Sequence, residues 1–262
     1  MKLLALTTCN DDYRYYRWIP HAVVFWRRLG FDFVVHFYAD SVPDQLDQWR
    51  EHIILQRPPV GLKVPSVCQV SRLFLPILHE EYDLILITDV DLLPLSRSYF
   101  DMVRNFPTDK FVAMRQKENE FFMGFNCASQ AMWQKLTNIQ PDHEGISQAL
   151  LKLFAQHRSK RLRDRFLSRQ IGVSWGLDQR LLKQYIDTLS ERDKICISGL
   201  EEVYSLHSGF TIKPAYFKEK GTQVDENWIS GNKEKIAFYT RDDLRSLDAF
   251  DEEISFLTEL YE

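Results

Sequence analysis

The chain alternates short apolar runs with longer amphipathic stretches. Residues 2–8, KLLALTT, form a nearly continuous apolar run and predict a buried strand. Residues 11–30, DDYRYYRWIPHAVVFWRRLG, predict a helix capped by aspartate and stopped by Gly30, and 31–39, FDFVVHFYA, a second strand. The pattern repeats with a helix over VPDQLDQWREH (42–52) and a strand over IILQRP (53–58), before a turn at Pro58, Pro59 and Gly61. A helix over SVCQVSRLFLPILHEEY (66–82) then leads into a fourth strand, DLILITD (83–89). Strands separated by helices of this length predict an α/β fold, with a mixed, mostly parallel central sheet flanked by helices on both faces. No internal repeat, low-complexity stretch or flexible linker interrupts residues 1–262, so one domain is expected. Its carboxyl end, 241–262, spaces Leu244, Leu247, Phe250, Ile254 and Leu257 at helical intervals and predicts an amphipathic helix.

The stretch LILITDVDLLPLS (84–96) sets Asp89 and Asp91 one residue apart at the end of an apolar strand. Side chains at i and i+2 of a strand share a face, so the two carboxylates would point the same way if the strand ran through them. Like charges that close repel unless something positive lies between them. In open α/β sheets ligands bind beyond the carboxyl ends of the strands, which is where this pair falls. Two carboxylates without a neighbouring cysteine are hard oxygen ligands suited to Mn²⁺ or Mg²⁺, and such an ion keeps coordination positions open for substrate phosphates. The plainer reading is that D-V-D caps the strand and turns the chain toward Pro94.

Composition narrows the classes. A net charge of -4, from 33 basic and 37 acidic residues, argues against a dedicated nucleic-acid binder. The four cysteines, Cys9, Cys68, Cys127 and Cys196, are far apart with no CxxC pair, so neither a zinc knuckle nor a disulfide scaffold is expected. The amino-terminal apolar run breaks too early for a signal peptide, and no segment approaches a membrane span, so a cytoplasmic location is expected. There is no GxxxxGK[ST] loop and no glycine-rich dinucleotide fingerprint. At the end of the first strand Thr7, Thr8 and Tyr13 occupy the usual place for nucleotide base and ribose contacts, although Tyr13 fits equally well as a packing aromatic.

The run VSRLFLPILHEEYDLILITDVDLLPL resembles the centre of GT-A glycosyltransferases, where an arginine-bearing helix leads into a strand ending in DxD. Three further segments are similar to the family-8 glycosyltransferases, which include glycogenin and bacterial lipopolysaccharide galactosyltransferases. In LHSGFTIKP, His207 is followed by Lys213 and Pro214 at the family's spacing, with Gly209 one position early. WGLDQRLL carries the family's Asp-Gln, here Asp178 and Gln179, and FMGFNCASQAMWQKL supplies Asn126, with NCAS where the family has Asn-x-Gly.

The resemblance implies a GT-A, Rossmann-like fold and transfer of a hexose from a UDP-sugar to a glycan or glycoconjugate hydroxyl, with retention of configuration. Residues 1–115 would form the nucleotide-sugar-binding half and 116–262 the acceptor-facing half. It implies that Asp89, Asp91 and His207 hold the metal, and that Lys213 meets the diphosphate. It places Arg72, Asp89 and Val90 at the donor, and Asn126, Asp178 and Gln179 at the reacting sugar. Metal and lysine would stabilise charge on the leaving nucleoside diphosphate. Plainer roles stay open: Arg72 as a solvated helix arginine, Asp178 as a helix-start carboxylate, His207 as an ordinary core or surface histidine. An inverting enzyme would need a carboxylate base, for which Asp178 is a candidate.

Segment 152–169 carries Lys152, Arg158, Lys160, Arg161, Arg163, Arg165 and Arg169 against Asp164 alone. It reads as a hold for an anionic acceptor, as a peripheral membrane contact, or as a solvated helix balancing the acidic carboxyl end. Two other classes compete with the transferase. A catalytically silent nucleotide-sugar or glycan-binding protein would keep the fold without turnover. A Mg-dependent phosphatase also uses DxD but wants a threonine where this chain has Leu93.

Overall fold

The computed structural model describes residues 1–91, 93–94, 100–113, 121, 123–157, 172–173, 176–196 and 211–212. Strand β1 (Leu3–Asn10) runs at the centre of a seven-stranded sheet with β2 (Asp32–Tyr38), β3 (Ile53–Gln56) and β4 (Leu84–Ile87). A separate two-residue pairing joins β5 (Leu93–Pro94) to β9 (Thr211–Ile212). The sheet is completed by β6 (Phe111–Ala113), β7 (Asn126–Ala128) and β8 (Lys194–Cys196), in the order β3-β2-β1-β4-β7-β6-β8. Only β7 runs antiparallel to its neighbours, so the sheet is mixed and mostly parallel, as expected.

Burial on both faces explains why β1 and β4 read as unbroken apolar runs rather than as alternating ones. Leu3 and Ala5 face one core, filled by Trp18, Ala22, Phe25 and Trp26; Leu4 and Leu6 face a second, filled by Val67, Trp133, Leu150 and Leu182. The helices of the first layer are α1 (Tyr13–Tyr16) and α2 (Ile19–Arg28). The second layer holds α3 (Val64–Ser71), α4 (Gln130–Thr137), α5 (His143–Gln156) and α6 (Leu177–Thr188). Among the described residues no helix is long and apolar enough to cross a membrane.

Prolines correct two of the expected helices. The stretch 11–30 is two helices, because Pro20 has no N–H for the Tyr16 carbonyl and instead occupies the first turn of α2. Asp12 does cap the first, accepting from the Arg14 N–H, and Gly30 does end the second at a φ of 79° that suits glycine. The stretch 66–82 is likewise broken. Pro76 cannot donate to Arg72, so α3 ends at Ser71, Arg72 becomes its C-cap, and a short 3-10 turn (Leu75–Leu78) follows. Residues Asp44–His52 form a 3-10 helix rather than an α-helix. Its three-residue repeat points both buried Leu46 and part-buried Trp49 at the core.

A polar chain links β3, β2 and the end of the 3-10 turn. The Gln56 amide lies 3.1 Å from His36 Nδ1, and His36 Nε2 lies 2.9 Å from His79 Nε2. With Gln56 donating, His36 Nε2–H donates to His79, whose Nδ1–H turns toward Glu81. Burial lowers the affinity of both imidazoles for a second proton.

Candidate functional site

The strand order creates the site. From β1 the chain adds β2 and β3 on one side and then returns to place β4 on the other, so the sheet changes direction between β1 and β4. Such a switch point leaves a crevice at the carboxyl ends of the two strands. Thr7 and Thr8 lie in the carboxyl half of β1, and Thr88 and Asp89 follow β4, tied to β1 by the Thr88 N–H donating to the Leu6 carbonyl at 2.9 Å.

The strand does not run through the two aspartates. β4 stops at Ile87, where the Phe125 N–H takes the carbonyl, and Val90 and Asp91 lie in a turn. The shared face expected for Asp89 and Asp91 therefore does not arise from strand pleating. Asp89 is partly exposed, with 22 % of its side chain accessible, whereas Asp91 is 6 % exposed.

Arg72 is the centre of the arrangement. Its position at the α3 C-cap frees the guanidinium from the helix, and Nη1 donates to Asp89 Oδ1. Nη2 and Nε donate to Asp178 Oδ2 at 2.5 and 3.2 Å, and Nε also reaches the Gln69 carbonyl at 3.2 Å. Burial works to lower the Arg72 pKa, but the Asp89 and Asp178 charges outweigh it, so the group holds its proton more firmly than a free arginine. The solvated-arginine reading fails for this side chain.

Asp178 lies in the first turn of α6, which Gly176 opens in a left-handed conformation with φ 77°. Its carboxylate is fully buried, and its second oxygen accepts from Gln69 Nε2 at 3.1 Å. Both oxygens are thus engaged by α3. Gln179, the next residue, is half-buried.

The remaining expected residues divide. Thr8 Oγ1 donates to the Cys68 carbonyl at 2.6 Å, joining β1 to α3, and Thr7 is buried. Tyr13 is 53 % exposed at the mouth of β1, edge-on to Tyr16 and beneath the Arg17 guanidinium. Val90 packs into the first core beside Phe100 and Phe125. Asn126 begins β7 opposite Ile87, fully buried, with Nδ2 donating to the Met123 carbonyl at 3.0 Å. Phe125, just before it, has a φ of 70°, a left-handed conformation that costs a bulky residue about 1 to 3 kcal/mol. His207, Lys213, segment 158–169 and residues 241–262, where a helix is expected, lie outside the described residues.

Sequence reasoning missed Gln69. It stands three residues before Arg72, a spacing that brings two helical side chains together, and this was the available signal.

The donor set at the crevice suits a hard divalent cation in kind, since both carboxylates of the DxD are oxygen ligands. Among the described residues no group of three or more His, Cys, Asp or Glu side chains forms a cation site. Asp89 and Asp91 would supply protein oxygens to Mn²⁺ or Mg²⁺, with any further ligand coming from elsewhere.

No family model matches the chain, and no curated protein matches it by sequence. Among solved structures it is similar to the apo-form glycosyltransferase GlyE of Streptococcus pneumoniae TIGR4, with TM-score 0.45 and 16 % identity over 84 % of this chain and 50 % of that one. A second GlyE crystal structure gives TM-score 0.43 and 13 % identity over 100 % and 64 %. The bifunctional glycosyltransferase WbbM in its apo form gives 0.38 and 13 % over 75 % and 38 %. The chain therefore spans less than two thirds of the length of each of these proteins.

Proposed function

We propose that the chain is a metal-dependent GT-A glycosyltransferase, moving a hexose from a nucleotide-diphosphate sugar to a hydroxyl of a glycan or glycoconjugate. A UDP-sugar is the favoured donor and retention the favoured outcome. The observation that carries the reading is the Asp89–Arg72–Asp178 bridge, built at the sheet's switch point from a strand end, a helix C-cap and a helix N-terminus. The bridge lies at the carboxyl ends of the strands, where open α/β sheets bind their ligands.

Each residue has a task in this reading. Arg72 holds Asp89 at the crevice through one nitrogen and Asp178 through two others, so the three move as a unit. Asp178, with both oxygens engaged and no exposed surface, orients this unit rather than drawing a proton from an acceptor. That role agrees with retention, which asks for no carboxylate base on the acceptor. Tyr13 offers an exposed ring to the base, and Asp89 and Asp91 offer oxygens to Mn²⁺ or Mg²⁺. The cation, when bound, neutralises charge on the departing nucleoside diphosphate. Lys213 and His207 would join from the carboxyl half, which would face the acceptor.

The test is release of UDP from UDP-hexoses with Mn²⁺, with and without glycan acceptors, and the anomeric configuration of the product by proton NMR. Turnover abolished by EDTA is expected. An inert protein across donors and acceptors would leave the fold without this chemistry, and an inverted product would remove retention.

A further inference from the structure

Gln69 touches both members of the buried pair beside it. Its carbonyl accepts from Arg72 Nε at 3.2 Å, and its side-chain amide donates to Asp178 Oδ1 at 3.1 Å. Arg72 spends Nε and Nη2 on Asp178 Oδ2 alone, which would leave the carboxylate free to pivot about that oxygen. The amide closes the second corner. A buried carboxylate oxygen without a donor is also costly, and Gln69 Nε2 supplies a side-chain donor to Oδ1.

The choice of a neutral donor matters too. A lysine at position 69 would add a charge to the bridge, whereas an amide orients the Asp178 carboxylate without one.

We propose that Gln69 is a positioning residue for glycosyl transfer, fixing the Asp178 carboxylate and through it the Arg72–Asp89 arm at the donor site. The inference rests on the glycosyl-transfer reading of this site. It goes beyond that reading by giving a specific task to a half-buried residue that need not touch the substrate.

Two variants of matched length test it: Gln69→Met, which removes the donor, and Gln69→Glu, which makes the donor depend on a proton. The carboxyl introduced by Gln69→Glu can donate an O–H to Asp178 when protonated but repels it when ionised, since two carboxylates about 3 Å apart do not both ionise readily. UDP release from a UDP-hexose with Mn²⁺ is measured from pH 5.5 to 8.5, with thermal melts of each protein over the same range. Gln69→Met should lose about tenfold or more in kcat at every pH, with KM changed much less, as for a misplaced catalytic array. Gln69→Glu should approach wild type at the acid end and fall away as pH rises. A purely structural role would shift the melts without a pH-dependent kcat ratio. If wild type turns over and Gln69→Met keeps its kcat, or the ratio of Gln69→Glu to wild type is flat with pH, the inference is overturned and the glycosyltransferase reading stands. If wild type releases no UDP from any donor, both fall together.

Discussion

Arg72 and Asp178 lie 106 residues apart in the chain and meet through two donors, Nε and Nη2, on a single carboxylate oxygen. The contact joins the end of α3 to the start of α6 and fixes both against Asp89. Buried charges of this kind contribute little net stability against an apolar replacement, yet removing one partner strands the others. Arg72→Met should therefore lower unfolding stability by about 3 to 5 kcal/mol. Asp178→Asn should cost less, and the double variant should be milder than the sum of the two by about 1 kcal/mol or more. Urea unfolding measures all three. Additivity within about 0.5 kcal/mol would mean that the pair is not coupled in solution.

Gly176 places Asp178 by opening α6 in a left-handed conformation. An added Cβ meets nothing closer than the Arg180 guanidinium at 3.5 Å, so space is not the obstacle. Gly176→Ala should cost about 1 to 2 kcal/mol through backbone strain alone. A melting temperature equal to wild type would refute the conformation assigned to this position.

Acid should destabilise the protein through its buried histidines. Burial lowers the pKa of His21 to about 3, and it lowers those of His36 and His79 as well. Above their unfolded value near 6.5 both states are neutral and these groups do not affect folding. As pH falls below 6.5 the unfolded chain takes up protons that the folded one refuses, and stability drops until the folded pKa values are reached. The limiting slope is about 1.4 kcal/mol per pH unit for each such histidine. Melts between pH 7.5 and 5 should show this loss, and His36→Gln should flatten it. A melting temperature that does not fall over that range would contradict the burial of these rings.

Cys9, Cys68 and Cys127 are buried thiols whose pKa values burial raises. Reactivity requires an accessible thiolate, so a colorimetric thiol reagent should modify at most Cys196 in the folded protein, and all four cysteines in urea. Rapid loss of a second thiol without denaturant would contradict the burial of Cys9, Cys68 and Cys127.

Much of this arrangement could be read along the chain, and the exceptions have physical causes. β1, β2 and β4 appear within two residues of the apolar runs that predicted them, because strands buried on both faces must be apolar throughout. The helix breaks at Tyr16 and Ser71 were also visible in principle, since Pro20 and Pro76 stand four residues beyond the carbonyls they leave unpaired. β7 was not visible as an antiparallel strand: NCA is three residues long, and its direction depends on pairing with Ile85–Ile87. Asp89 and Arg72 stood out from their motif and their place in the chain. That Asp178 would be drawn under α3, with Gln69 on its other oxygen, depends on packing between segments more than a hundred residues apart.

The most direct test of the central claim is calorimetric titration of UDP and UDP-hexoses into the protein with Mn²⁺, repeated with EDTA and with Asp91→Ala. The account predicts a Kd on the order of micromolar for the uridine nucleotide, lost both without metal and without the Asp91 carboxylate. Absence of nucleotide binding, or binding that ignores both the metal and the substitution, would contradict it and leave Asp89 and Asp91 as a capped turn at the end of β4.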